Sequence, residues 1–162
     1  MTFHAATTVW HPIPLIPYGA ILHVPEGWEA MPPQPANGPE IMRAAGGAGR
    51  NLIIFKIPAG GRTADEVADV AQGKLEARGY GDFTRAAVPF AGQPGVALDF
   101  VTRNSNGDEI YRTREYFAVR GTAGYILGMG SRTWEEHLPL IEAIAARFEL
   151  IDPGAYGSDA PR

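Results

Sequence analysis

The sequence predicts an α+β protein in which a meander of strands is followed directly by a helix. Three segments, residues 96–102, 109–119 and 124–129, alternate their side chains between two faces, as half-buried strands do. Turn-forming residues join these segments, and residues 134–148 then carry apolar side chains at helical spacing. A second amphipathic segment begins near residue 63, so we expect two main helices to pack against the sheet.

The composition is that of one globular domain and argues against several classes of function. Of the 162 residues, 45% are hydrophobic and 20% are charged, which is ordinary for a globular protein. The net charge of −4 opposes non-specific binding of nucleic acid, which requires basic patches. Because the chain has no cysteine, disulfides, thiolate metal sites and a cysteine nucleophile are excluded.

No segment of the sequence has the pattern of a targeting signal or a membrane span. The first 20 residues lack a basic region followed by an apolar run free of proline. No segment approaches the roughly 20 consecutive apolar residues that a spanning helix needs. We therefore expect a cytoplasmic protein without a membrane span.

Residues 1–19 are expected to form a proline-rich arm that packs on the body of the domain. Pro12, Pro14 and Pro17 favour an extended path and exclude a central strand. The apolar residues between them favour packing, and a detachable recognition arm is the functional alternative. Residues 20–150 then form the domain, and residues 151–162 are expected to be a frayed tail.

Short strands are predicted at residues 20–24, 40–45, 52–57 and 83–89. The glycine-rich residues 46–49 predict a hairpin turn. A phosphate-binding loop is disfavoured there, because it would end in Lys followed by Ser or Thr. The Asn-Ser-Asn-Gly sequence at residues 104–107 is the strongest turn signal in the chain.

The first helix is predicted to begin at Thr63. Thr63 and Glu66 have the spacing of a capping box, and Gly79 supplies a stop signal. The acidic residues lie off the apolar stripe and are expected to form a solvated face, since no histidine joins them in a metal cluster. The stripe that should face the sheet consists of Val67, Val70, Ala71 and Leu75.

The last helix contains a proline, Pro139, inside its apolar pattern. Either the helix begins near His137, with the proline in its first turn, or it begins at Trp134 and is kinked. Ser131 or Thr133 is expected to cap its start.

Candidate catalytic and metal-ligating residues are few. The histidines, at positions 4, 11, 23 and 137, have no spacing typical of a metal site. Ser131 follows Gly-Met-Gly and does not stand in a G-x-S-x-G nucleophile elbow. The sequence therefore predicts no catalytic residue, no metal and no cofactor.

Binding chemistry is predicted on the strand at residues 109–119. Arg112, Arg114 and Tyr116 share one face and are candidates for binding an anion or the carboxylates of a partner. The alternative is an ion-pair network with residues such as Asp99. The opposite face carries Glu115, which would act as a general base only if burial raised its pKa beside a substrate pocket.

Two further features concern the sheet surface. Ile126, Gly128 and Gly130 share a face that is bare enough for a helix or a ligand to approach closely. His23 and Tyr125 join the arginines and Tyr116 as candidate residues of a ligand pocket. For His23 the alternative is a half-buried histidine with its hydrogen bonds satisfied.

The order of several short motifs resembles the PsbP-like superfamily. The motifs are VPEGW at residues 24–28, PFAGQPGVALDF at 89–100 and REYFAVRGTAGYILGMG at 114–130, before a helix ending in ARFEL. The superfamily includes the photosystem II subunit PsbP, the Ran-binding Mog protein, DcrB, LpqN-type lipoproteins and Eag-type chaperones. The resemblance spans residues 20–150. It implies a twisted, mostly antiparallel sheet of about six strands with helices packed on it, an α/β/α-type sandwich.

The resemblance also implies binding rather than catalysis, because the superfamily supplies accessory subunits, adaptors and chaperones. The sequence departs from the LpqN type in lacking a lipoprotein signal. Our first hypothesis is a non-enzymatic module that binds a protein partner through its open sheet face or its N-terminal arm. The second is a small-molecule-binding protein or enzyme with a pocket on the sheet face. The third is a homodimer that buries this face.

Overall fold

The computed structural model describes residues 8–34 and 38–152, which contain ten strands and two α-helices. The strands are Trp10–Leu15 (β1), Ala20–Pro25 (β2), Glu29–Met31 (β3), Glu40–Gly47 (β4), Arg50–Pro58 (β5), Gly81–Phe90 (β6), Gln93–Arg103 (β7), Glu109–Arg120 (β8), Ala123–Ser131 (β9) and Glu149–Leu150 (β10). The helices are Ala64–Ala77 (α1) and Trp134–Arg147 (α2).

The strands form two antiparallel sheets. The main sheet has seven strands in the order β3-β4-β5-β9-β8-β7-β6, and the small sheet has the order β1-β2-β10. The predicted mostly antiparallel sheet is confirmed, with seven strands in the main sheet where about six were expected. The strands missed from the sequence are short or contain proline: β3 has three residues, β10 has two, and β1 includes two prolines.

The main sheet is the middle layer of the molecule. Helix α1 packs on one face, over β6, β7 and β8, and α2 packs on the other face against β8, β9 and β2 of the small sheet. Each face has its own apolar core: Leu98, Phe100 and Phe117 lie under α1, and Leu127, Met129 and other residues lie under α2. The α/β/α-type sandwich expected from the resemblance is thus confirmed.

Helix α1 begins as the sequence predicts. The hydroxyl of Thr63 accepts a hydrogen bond from the backbone N–H of Glu66 (3.2 Å), and the Glu66 carboxylate accepts one from the N–H of Thr63 (3.1 Å). This capping box satisfies two backbone donors that the first turn leaves without partners. The predicted apolar stripe is wrong at one position: Val70 is 43% exposed, because it lies at the flank of the helix rather than under it.

Helix α2 begins at Trp134, so a start near His137 is wrong. Pro139 lies inside the helix and removes the hydrogen bond that its N–H would have donated to the carbonyl of Glu135. No side chain caps the first turn. The Ser131 hydroxyl instead accepts a hydrogen bond from the N–H of Thr133 (3.0 Å), in the turn that precedes the helix.

The described part of the N-terminal segment lies against the domain. β1 is an edge strand in which Pro12 pairs with His23 and Pro14 with Ile21 of β2. The Arg147 guanidinium stacks on the Trp10 ring at 4.0 Å and links this strand to the end of α2. Residues 1–7 and 153–162 lie outside the described residues, so the proposed boundaries of arm and tail stay predictions.

Candidate ligand-binding cleft

A cleft of about 520 Å³ opens between α1 and the main sheet. It exists because α1 covers β6, β7 and β8 and leaves the same face of β5 and β9 without a helix. We call it the α1 cleft. Its apolar lining includes Ile53, Phe55, Ile57, Val67, Val70, Ala71, Leu75 and Ile126, and its polar lining includes Asn51, Lys74, Arg78, Tyr111, Thr113 and Glu115.

Two glycines of β9, Gly128 and Gly130, line the sheet side of the cleft and place no side chain in it. In the sheet register, Gly128 pairs with Glu115 and Gly130 pairs with Thr113 on β8. The ring of Tyr111 packs over Gly130, where a Cβ atom would overlap it, and the Tyr111 hydroxyl donates a hydrogen bond to Asn51 (2.5 Å). Gly128 meets no comparable neighbour, because the nearest Glu115 atoms would lie 3.6 Å from an added Cβ. Space therefore remains directly beside the Glu115 side chain.

Glu115 is the acidic group on the floor of the α1 cleft. Its neighbours across the strands are Leu98 on β7 and Gly128 on β9, and Ile53 of β5 pairs with Gly128 in turn. This row offers the carboxylate no charge and no side-chain donor, and Glu115 makes no side-chain hydrogen bond or ion pair with the described residues. Burial raises the pKa of Glu115 from 4.5 to about 7, because the charged form loses hydration without gaining a partner.

The cations of the cleft lie on α1 and at its end. Lys74 and Arg78 are exposed, and neither side chain pairs with a described acidic residue. The raised pKa of Glu115 has burial as its cause, without an opposing contribution from these cations. The cleft thus combines apolar walls, two cations at its rim and one unpaired carboxyl group on its floor.

The predicted candidates on β8 lie on the opposite face of the sheet. Arg114 donates two hydrogen bonds to Asp99, at 2.6 and 2.9 Å, and a weaker one to the Tyr116 hydroxyl at 3.3 Å. These bonds raise the pKa of Arg114 further above its ordinary value. Arg112 donates to Glu109 (3.0 Å), and both arginines lie against the ring of Trp134. The structure therefore brings together Arg112, Arg114 and Tyr116 in a network of internal contacts.

The other two candidates lie apart from this network. His23 lies 2.8 Å from the carboxylate of Glu149 and bridges two strands of the small sheet. Tyr125 is buried and donates a hydrogen bond to the carbonyl of Tyr18 (2.7 Å), while Lys56 donates to the same carbonyl (3.1 Å). A smaller cleft of about 250 Å³ touches Arg114 and Tyr116, together with Glu142 of α2. It does not reach His23 or Tyr125.

One buried histidine has no polar partner. His137 is fully buried in the first turns of α2, and neither ring nitrogen has a hydrogen-bond partner among the described residues. Its ring centroid lies 6.1 Å from that of Trp28. Burial lowers the pKa of His137 from 6.5 to about 4, and the charge of Arg50 acts in the same direction.

Residues 8–34 and 38–152 contain neither a cluster of metal-ligating side chains nor a helix that could span a membrane. In these segments no three His, Asp or Glu side chains come together in a group that could hold a metal ion. Neither α1 nor α2 is long and apolar enough to span a membrane, and no other helix in these segments is.

No protein-family model and no curated protein matches the sequence. Among solved structures, cyanobacterial PsbP from Synechocystis sp. PCC 6803 is similar over 93% of this chain and 97% of its own, with 11% identity and a TM-score of 0.72. The Saccharomyces cerevisiae Ran-binding protein Mog1p is similar over 91% of this chain and 98% of its own, with 9% identity and a TM-score of 0.60. The resemblance predicted from the sequence is confirmed at the level of the fold: this chain has the fold of PsbP and Mog1p.

Proposed function

We propose that this chain is a non-enzymatic binding module that holds a segment of a partner protein in the α1 cleft. The observation that carries the proposal is the uncovered apolar face of β5 and β9 beside the flank of α1. Apolar side chains that line a concave surface without a covering element favour a binding role. Mog1p, which shares the fold, is a Ran-binding protein, and this supports a protein as the partner.

The chemistry of the lining favours binding over catalysis. Among the described residues that line the cleft, Glu115 is the one acid, and neither histidine nor serine joins it. A carboxyl group with a pKa of about 7 has the proton affinity of a general base. However, a general base needs a positioned nucleophile or a second acid, and the cross-strand row through Glu115 holds leucine, glycine and isoleucine.

A small-molecule ligand is the second candidate. Its support is the volume of the cleft, because about 520 Å³ falls within the range of roughly 300–1,000 Å³ that is usual for small-ligand sites. The two candidates differ in what a reactive group placed in the cleft would capture.

Site-specific photo-crosslinking tests the proposal. Val70 and Ile110 are matched positions, 43% and 47% exposed, but only Val70 lines the cleft. We expect benzoylphenylalanine at position 70 to crosslink a discrete protein in host cells and the same group at position 110 to crosslink none. Crosslinks to the same proteins from both positions would contradict the proposal. A small molecule identified by mass spectrometry on position 70, without a protein, would favour the second candidate.

We propose that the binding residues predicted from the sequence, Arg112 above all, form a secondary contact surface for the partner. The Arg112 side chain is 35% exposed, which leaves part of its guanidinium accessible, whereas the side chains of Tyr116 and Tyr125 are buried. We expect Arg112→Ala to weaken a partner complex less than a change inside the α1 cleft. We also propose a cytoplasmic location, which cell fractionation tests. The homodimer that would bury the sheet face stays a prediction, and sedimentation of the purified chain tests it.

A further inference from the structure

We propose that the segment held in the α1 cleft carries one lysine or arginine between apolar residues, and that this basic side chain pairs with Glu115. This inference rests on the proposed function and names the partner chemistry of the same site.

The first step concerns the unpaired carboxylate. A carboxyl group that is largely removed from water costs free energy unless a donor or a cation compensates it. Leu98 and Gly128, which pair with Glu115 across the strands, and Ile53 beyond Gly128 offer no such group. Arg114 and Arg112, the nearest arginines along the strand, lie on the opposite face and bind Asp99 and Glu109. A basic side chain of the bound segment can supply the partner that Glu115 lacks among the described residues.

The second step concerns the access to Glu115. Gly128 has no side chain, and an added Cβ would come within 3.6 Å of the Glu115 carboxylate. A bound side chain can thus approach the carboxylate over this glycine. Lysine and arginine suit such a site because their methylene stems pack along apolar walls while their charged ends reach a polar group. Ile53 and Phe55 of β5 provide a half-buried apolar wall on that side.

The third step limits the number of basic residues. Lys74 and Arg78 at the rim are exposed and carry no ion pair with the described residues. They repel additional cations, so a polybasic segment is disfavoured and a single basic residue is favoured. The flanking residues of the segment are expected to be apolar, because Phe55, Ile57 and Val70 line the remainder of the cleft.

The test uses three pools of fluorescent heptapeptides, acetylated and amidated, with Ser-Gly extensions for solubility. All three have random apolar residues, and the central residue is lysine in the first pool, norleucine in the second and glutamate in the third. Fluorescence anisotropy measures binding to the full chain and to its Glu115→Gln and Glu26→Gln variants. Glu26 is a matched control, because it is exposed in the turn after β2 and does not line the cleft.

We expect the lysine pool to bind the unchanged protein about tenfold more tightly than the norleucine pool. A charge-assisted hydrogen bond between the lysine and Glu115 would give an affinity difference of about this size. Glu115→Gln should abolish this preference and Glu26→Gln should keep it. A thermal melt confirms that both variants are folded. An equal affinity for the lysine and norleucine pools, or a preference that persists in Glu115→Gln, would overturn the inference.

A further variant separates this inference from the proposed function. Val70→Trp narrows the cleft at an exposed position and should weaken binding of every pool. If Val70→Trp weakens binding but the central residue has no effect, the inference fails while the proposed function stands. If no pool responds to Val70→Trp, the peptides bind elsewhere and both proposals fail.

Discussion

Replacement of Glu115 by glutamine should change how the stability of the protein depends on pH. Burial holds the pKa of Glu115 near 7 in the folded chain, against 4.5 for an exposed glutamate. Between these pH values the unfolded chain has lost the proton while the folded chain keeps it, so the folded state binds more protons. The contribution of Glu115 to stability is therefore fully present below about pH 4.5 and is lost as the pH rises to about 7. Glutamine keeps the shape of the side chain and does not titrate.

The magnitude follows from the two pKa values. At about 1.4 kcal/mol per pH unit, the interval from 4.5 to about 7 corresponds to about 3 kcal/mol as an upper bound. The cleft is open to water beside the carboxylate, so we expect the observed effect to be smaller. Between pH 5 and pH 8, the protein should lose about 2 kcal/mol more stability than the Glu115→Gln variant.

Urea denaturation at pH 5 and pH 8 measures this difference in the free energy of unfolding. Both proteins contain the same other titratable groups, including His137, and their contributions cancel when the two pH dependences are subtracted. Glu26→Gln serves as the control and should behave like the unchanged protein, since Glu26 is exposed. The reasoning is refuted if Glu115→Gln and the unchanged protein lose equal stability between the two pH values.

The remaining predictions concern stability measured by urea denaturation. The lowered pKa of His137 makes the folded state lose stability as the pH falls from about 6.5 towards 4. Between pH 7.5 and pH 5, the His137→Leu variant should therefore lose about 2 kcal/mol less stability than the unchanged protein. Equal losses in the two proteins would contradict this. Gly130→Ala should lower the free energy of unfolding by about 2 kcal/mol, because the new Cβ overlaps the ring of Tyr111. Gly128→Ala should lower it by less than about 1 kcal/mol, because an added Cβ meets only ordinary contacts there. Equal losses would show that the Tyr111 ring moves freely. Asp99→Asn should lower the free energy of unfolding by about 1–2 kcal/mol, because the charge of Arg114 loses its carboxylate partner in a pair whose side chains are 18% exposed. A loss below about 0.5 kcal/mol would mean that Glu142 and water replace the carboxylate of Asp99.

Much of the fold can be predicted from the sequence because its signals are local. Alternation along β7, β8 and β9 identifies the meander, and the capping box of Thr63 and Glu66 places the start of α1. The Asn104 side chain accepts hydrogen bonds from the N–H groups of Asn106 and Asp108, which explains the strength of that turn signal. The short strands β3 and β10 escape such reasoning, because pairing with β4 and β2 defines them and their own residues do not.

The candidate site was only partly predictable, because it depends on non-local geometry. The sequence places Glu115 on one face of β8 and identifies Gly128 as a bare position on β9. Two facts were missing: that these two residues are paired across the strands, and that α1 stops short of β5 and β9. The exposure of Val70 has the same origin, since a helical stripe shows which residues share a face and does not show where the sheet beneath ends.

The two faces of β8 illustrate why charge alone is a poor guide to a binding site. The arginines that attract attention in the sequence lie on the α2 face, where Asp99, Glu109 and Trp134 already engage them. A side chain whose interactions are satisfied within the chain gains little from a ligand. Glu115, the one acid among the described residues that line the α1 cleft, has no such partner among them and lies beside open apolar surface. A ligand can supply the partner that the described part of the chain does not give Glu115, and for this reason our proposal centres on Glu115.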